Sequence, residues 1–209
     1  MPSIYTLKPR FQALLRPAVK RLAESGVTAN QITISACALS IASGAVITLR
    51  REFLILLPAV LFIRMALNAI DGMLAREFGQ KSALGAYLNE LTDVISDASL
   101  YLPFARIPGF DPIWIGAVIV LAVISEMAGV LGLTVGGSRR YDGPRGKSDR
   151  AFFFGALAFA IGFGGGRFPA WASWGFPILI ALAIVHTIVN RVRNGLAEAG
   201  ARRIDSMRS

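Results

Sequence analysis

Six apolar stretches, each close to the ~20 residues an α-helix needs to cross ~30 Å of hydrocarbon, follow one another along this 209-residue chain. They run from about Ile32 to Leu49, Phe53 to Glu77, Ser82 to Ala105, Pro112 to Val135, Arg150 to Gly164 and Gly175 to Arg191. A chain divided in this way has no room for a sizeable soluble domain. With 54% apolar and 17% charged residues, it reads as an all-α polytopic membrane protein of six transmembrane helices.

Ahead of the first span, Phe11, Leu14, Leu15, Ala18 and Leu22 recur at helical spacing while Gln12, Arg16, Lys20 and Glu24 take the other side. An ordinary soluble helix has the same pattern, but a span begins within ten residues, so the segment is expected to lie in the membrane interface. Pro17 is expected to bend it. Three regions follow: an N-terminal segment 1–31 with the interfacial helix, a six-helix domain 32–193, and a basic tail 194–209. The first residues lack the layout of a cleaved secretory signal, so the first apolar run is expected to stay in the mature chain.

The net charge of +9 comes from Lys and Arg between the apolar runs, with no aromatic and basic stripe, so nucleic acid is excluded as a partner in favour of lipid headgroups or phosphate-bearing substrates. Counted by segment, 17 of the 22 Lys and Arg fall on one side of the expected topology and four on the other, which places both termini in the cytoplasm. The single cysteine, Cys37, rules out a disulfide framework and a Cys-rich zinc site. His186, alone on an apolar helix, is expected to be packed or bonded between helices. Gly162, Gly164, Gly165 and Gly166 follow no strand and are read as a helix end, and Trp114, Trp171 and Trp174 as interfacial anchors.

Ionisable groups cost at least ~2.5 kcal/mol each near a bilayer midplane, yet the second and third stretches carry Arg64, Asp71, Arg76, Glu90, Asp93 and Asp97. Their spacing is helical: Asn68, Asp71 and Gly72, Ala75 and Arg76 on one helix, and Gly85, Asn89, Asp93 and Asp97 on the next. The short connection Gly79-Gln80-Lys81 turns these polar halves toward one another at the same membrane end. Two facing stripes of oxygen atoms suit a hard divalent cation, Mg²⁺ or Mn²⁺. Gly72 and Gly85 leave space for a bulky substrate, and Arg76 offers a guanidinium to phosphate. The competing reading is a buried ion-pair network, with Asp71 against Arg76 or Arg64.

The run Asn68-Ala-Ile-Asp71-Gly72-Met-Leu-Ala75-Arg76, eight residues, Gly85-Ala-Tyr-Leu-Asn89-Glu-Leu-Thr-Asp93 resembles the CDP-alcohol phosphotransferase signature, Asp-x-x-Asp-Gly-x-x-Ala-Arg, eight residues, Gly-x-x-x-Asp-x-x-x-Asp. The resemblance covers roughly Thr28 to Arg193 and implies six spans, a cytoplasmic interfacial helix and a homodimer. It implies transfer of the phosphatidyl group of CDP-diacylglycerol to an alcohol with release of CMP, in phospholipid synthesis at a bacterial inner membrane. Carried over, Asn68, Asp71, Asn89 and Asp93 line the metal site and Asp93 is the base. Thr28, Ala29, Asn30, Gln31, Gly72, Arg76, Ser82 and Gly85 meet the CDP-lipid, and Arg150 and Arg191 meet an anionic acceptor.

Two positions depart from the pattern, since Asn68 and Asn89 stand where the family has Asp. Four carboxylates become two, which points to one cation, weaker binding, or help from Asp97 or Glu90; Glu90 is rotated about 100° from Asn89 and is expected to point away. Glu126 falls near the place where relatives that use inositol phosphate have Lys, which disfavours that acceptor. The basic loop from Ser138 to Arg150 is equally explained by membrane orientation alone. Two other functions are open to the same residues: a non-catalytic descendant that binds CDP-lipid, and a cation channel, which would leave Gly72, Gly85 and Arg76 without a role.

Overall fold

The computed structural model describes residues 4–141, 146–164 and 169–206. The described residues form seven α-helices: α1 (Ile4–Glu24), α2 (Ala29–Leu49), α3 (Leu57–Glu77), α4 (Ala83–Tyr101), α5 (Pro112–Thr134), α6 (Lys147–Phe163) and α7 (Ala170–Ser206). Short 3₁₀ segments, Arg51–Leu56 and Leu102–Arg106, lead into α3 and out of α4. Proline explains both interruptions: Pro58 sits in the first turn of α3 and Pro103 in the first turn of the second 3₁₀ segment, where a missing N–H costs nothing.

The protein is an all-helical, polytopic membrane protein. Ala29–Leu49, Arg51–Glu77, Pro112–Thr134 and Trp171–Asp205 are each long and apolar enough to span a bilayer, while α4 carries three acids and α6 has 17 residues. Leu133, Leu179, Leu182 and Phe62 point outward, as lipid-facing residues must. Trp114, Trp171 and Trp174 are also exposed.

The core of the bundle is aromatic. Tyr101 stacks on Phe154 with ring centroids 4.0 Å apart, Phe104 meets Phe154 edge-on at 5.1 Å, and Leu57, Leu100, Ile115, Ile180 and Ile184 close around them. Helices α2 and α4 cross closely because Gly44 has no side chain to meet the Ser99 backbone. The α3–α4 connection turns on Gly79, whose φ of +68° is open to glycine.

Helix α1 packs against the bundle. Its Val19 is fully buried and forms a second core with Ala29, Ile70, Met73 and Leu74, while Arg16 donates to both carboxylate oxygens of Glu77 at 3.1 and 2.9 Å. Leu14, on the opposite side, is exposed.

The structure adds to one expectation and corrects another. The tail is helical: α7 continues past Arg191 to Ser206 without a break, because Ala, Arg, Leu and Glu dominate 196–204 and the Pro that could stop it lies back at Pro177. Glu198 in this extension accepts hydrogen bonds from the Ser138 hydroxyl (2.8 Å) and N–H (3.2 Å) and pairs with Arg140 at 2.8 Å. These bonds, Ser138 first, pull its carboxyl down to about 2. His186 is exposed rather than packed, because it faces outward between the buried Ile184 and Thr187. Arg145, Gly165, Gly166 and Arg167 lie outside the described residues.

Candidate active site

The start of α2 is the first wall of the site. Thr28 caps α2 by accepting from the Gln31 N–H at 3.3 Å, while the Gln31 side chain accepts from the Thr28 N–H at 2.8 Å. Gln80 reaches over from the α3–α4 turn, accepting from the Ala29 N–H at 2.6 Å and donating to the Val27 carbonyl at 3.3 Å. Ser82 caps α4 through the Gly85 N–H at 2.9 Å. A Cβ on Gly85 would lie 2.9 Å from Asn30 Oδ1 and 3.0 Å from Ser82 Oγ, so Thr28, Ala29, Asn30, Gln31, Ser82 and Gly85 gather at one end of the bundle. One turn of α3 completes this wall: Arg76 is exposed, and its guanidinium folds back over Gly72, 2.7 Å from where a Cβ would be.

Beneath it lie the two remaining carboxylates of the motif. Asp71 is buried, and the Thr33 hydroxyl donates to its Oδ2 at 2.8 Å. Asp93 is half-buried; its Oδ1 accepts from Asn68 Nδ2 at 3.2 Å, lies 3.5 Å from Arg64 Nη2, and is in direct contact with Lys147 Nζ. Asn89 is half-buried one turn earlier on α4. Two carboxylates and two amide oxygens form a donor set that fits one hard divalent cation, with a formal charge of −2 from protein. Among the described residues, no three His, Cys, Asp or Glu side chains gather into a metal-binding group, so a cation here must draw on the amides.

Deeper in the bundle is a network of charges. Arg64 Nη1 donates to Asp97 Oδ1 at 2.5 Å, and its Nη2 donates to the Asp93 carbonyl at 3.0 Å. Arg150, 1% exposed at its side chain, donates through Nη2 to Asp97 Oδ2 and to Glu126 Oε1, both at 3.0 Å. Arg191 Nη1 donates to the Ser125 carbonyl at 2.5 Å and lies 3.5 Å from Glu126 Oε2. Arg139 pairs with Glu90 at 2.6 Å and lies 3.7 Å from the same Glu126 oxygen. The loop can bring Arg139 so close because Gly129 and Gly132 have no side chains to collide with the Arg140 and Ser138 carbonyls.

The network corrects several expectations. Arg150 and Arg191, expected to meet an anionic acceptor, are buried, and both face Glu126. Asp97 does not assist a cation, because both of its oxygens are taken by arginines. Glu90 points away from the motif stripe, as its helical rotation implies, and meets Arg139. The ion-pair reading holds for Asp97 but not for Asp71, whose hydrogen-bond partner is the neutral Thr33. Lys147, Thr33 and Arg139 went unassigned from sequence. Thr33 lies one turn after Ala29, on the face of α2 that follows the capping turn, and Lys147 lies one turn before Arg150; these spacings were the available signals.

A polytopic helical fold with paired Asp and Asn stripes beside a guanidinium at one membrane end defines a membrane-embedded phosphotransferase. The chain belongs to the CDP-alcohol phosphatidyltransferase family, whose model matches residues 26–189. It is 43% identical over 198 residues to the inner membrane protein YnbA of Escherichia coli (strain K12), covering 93% of this chain and 96% of that one. Over 99 residues it is 32% identical to the archaetidylinositol phosphate synthase of Pyrococcus horikoshii, covering 47% of this chain and 52% of the relative. The crystal structure of Mycobacterium tuberculosis phosphatidylinositol phosphate synthase (PgsA1) with CDP-DAG bound has the same fold, with a TM-score of 0.73 at 22% identity over 86% of this chain and 92% of that one. The complex of PgsA1 with manganese and citrate gives a TM-score of 0.74 at 22% identity, covering 88% and 90%.

Proposed function

We propose that the chain transfers the phosphatidyl group of a CDP-diacylglycerol to an alcohol and releases CMP, working at the cytoplasmic face of an inner membrane as a homodimer. In this reading α4 and α6 also cross the bilayer. The observation that carries it is the unequal treatment of the acids: Asp71 is buried against a neutral hydroxyl, although Glu90, Asp93 and Asp97 on α4 all have cationic partners. A buried carboxylate without a cationic partner is costly, and a site for a cation and phosphates gives it a reason to exist.

Asn68, Asp71, Asn89 and Asp93 would hold Mg²⁺ or Mn²⁺, which when bound neutralises phosphate oxygens. Arg76 and Gly72 receive the pyrophosphate, with backbone groups of the Thr28–Gln31 turn and Ser82 and Gly85 beside them. The acceptor hydroxyl gives its proton to the Asp93 carboxylate as its oxygen bonds to the phosphorus bearing diacylglycerol. The pyrophosphate P–O bond breaks and CMP leaves. Lys147 and Arg64 hold Asp93 in place for this proton transfer.

The test is to incubate purified protein with CDP-diacylglycerol, Mg²⁺ or Mn²⁺ and pooled polar metabolites, and to measure CMP and new lipid by mass spectrometry. Metal-dependent CMP with a matching lipid is the expected result. CDP-lipid binding without CMP would reassign the chain as a non-catalytic binder.

A further inference from the structure

Three guanidiniums converge on one buried carboxylate: Arg150 at 3.0 Å, Arg191 at 3.5 Å and Arg139 at 3.7 Å from Glu126. Guanidiniums so arranged are the donor set that would seize a phosphate, whose oxygens match the planar fork. Here the protein supplies the anion itself. The cavity lined by Asp97, Tyr101, Glu126 and Arg150 has a volume of about 10 Å³, room for at most one water and not for a phosphate.

We propose that Glu126 is a built-in anion that excludes phosphorylated acceptors, so that the alcohol accepted by this enzyme is uncharged, such as a polyol. The inference rests on the phosphatidyl-transfer reading for the word acceptor, but the geometry of Glu126 stands apart from it. Charge balance around the site argues for the same class. Arg64, Arg139, Arg150 and Arg191 face Asp93, Asp97, Glu90 and Glu126, four arginines against four acids, and every one of these acids is in an ion pair. An anionic acceptor finds its cations already engaged, and a cationic one meets a rim of arginine. The network also reaches the proposed base: Arg64 touches Asp97 and Asp93 together, so Glu126 lies two arginines away from the reacting hydroxyl.

The experiment has two arms. Wild-type protein with CDP-diacylglycerol and Mn²⁺ is given glycerol against glycerol 3-phosphate, and inositol against inositol phosphate. The uncharged member of at least one pair is expected to release CMP with a kcat/KM about tenfold or more above its phosphate. A preference for either phosphate overturns the inference and leaves the transfer reading intact. CMP from none of the four overturns the transfer reading, with the second arm still deciding the role of Glu126. In that arm, inorganic phosphate is titrated against the melting temperature of wild type and of Glu126→Ala, which removes the carboxylate and vacates its space. Phosphate is expected to raise the melting temperature of the variant alone; equal responses, or none in a folded variant, overturn the inference. Should Glu126→Ala fail to fold, the wild-type acceptor arm decides.

Discussion

The two clusters of charge in this bundle share Arg64 and differ in how their acids are paired. Around Asp97 and Glu126, each carboxylate touches two or three guanidiniums and is buried. Around Asp71 and Asp93, one carboxylate has a neutral hydroxyl, and the other shares one oxygen between an amide and two cations while staying half-open. Acids engaged by several guanidiniums mark a network whose work is structural, and a buried acid with only a neutral partner, Asp71, marks one held ready for a ligand. The comparison also explains how a signature with two amides in place of two acids stays folded: Asn68 uses its amide N–H to position Asp93, which an aspartate could not do.

Replacing one member of each cluster should separate their roles. Asp93→Asn should lower CMP release by roughly 10²–10⁴-fold while CDP-lipid binding survives. Near-normal turnover with a lowered melting point would move Asp93 into the structural cluster. Arg150→Met leaves Asp97 and Glu126 short of a buried partner and should cost about 3–5 kcal/mol of stability, read as loss of folded protein on heating in detergent. A melting point like that of wild type would mean that the inner network is dispensable. Asn68→Asp adds a charge to the open cluster and should strengthen Mn²⁺ binding in a titration; equal or weaker binding would turn this position away from the ion. The smallest effect belongs to the wall: Thr28→Ala removes the α2 cap and should cost about 1 kcal/mol, visible as a small drop in melting temperature.

The spans and the motif stripe could be read from sequence because both depend on local periodicity. Hydropathy located α2, α3 and α5 to within a few residues, and the spacing from Asn68 to Asp93 placed two helices face to face. Pairings between distant segments left no such trace. Lys147 meets Asp93 across 54 positions of sequence, and Arg191 meets Glu126 from another helix altogether. Membrane orientation gave those basic residues a sufficient explanation, which hid their partners. The extension of α7 was missed for a different reason. Hydropathy ends where the bilayer ends, whereas helix propensity in 196–204 does not.

That extension divides the protein's ion pairs between two solvents. At 1.5 Å per residue, the 37 residues of α7 run for about 55 Å, well beyond the ~30 Å of hydrocarbon. The clamp of Glu198 on Ser138 and Arg140 therefore stands in water, while Arg191 on the same helix grips Glu126 inside the bundle. Mobile ions screen the first within a Debye length of about 8 Å at physiological strength and scarcely reach the second. Rising ionic strength should thus weaken the hold of Glu198 on Arg140 while leaving the buried anchor of the same helix untouched.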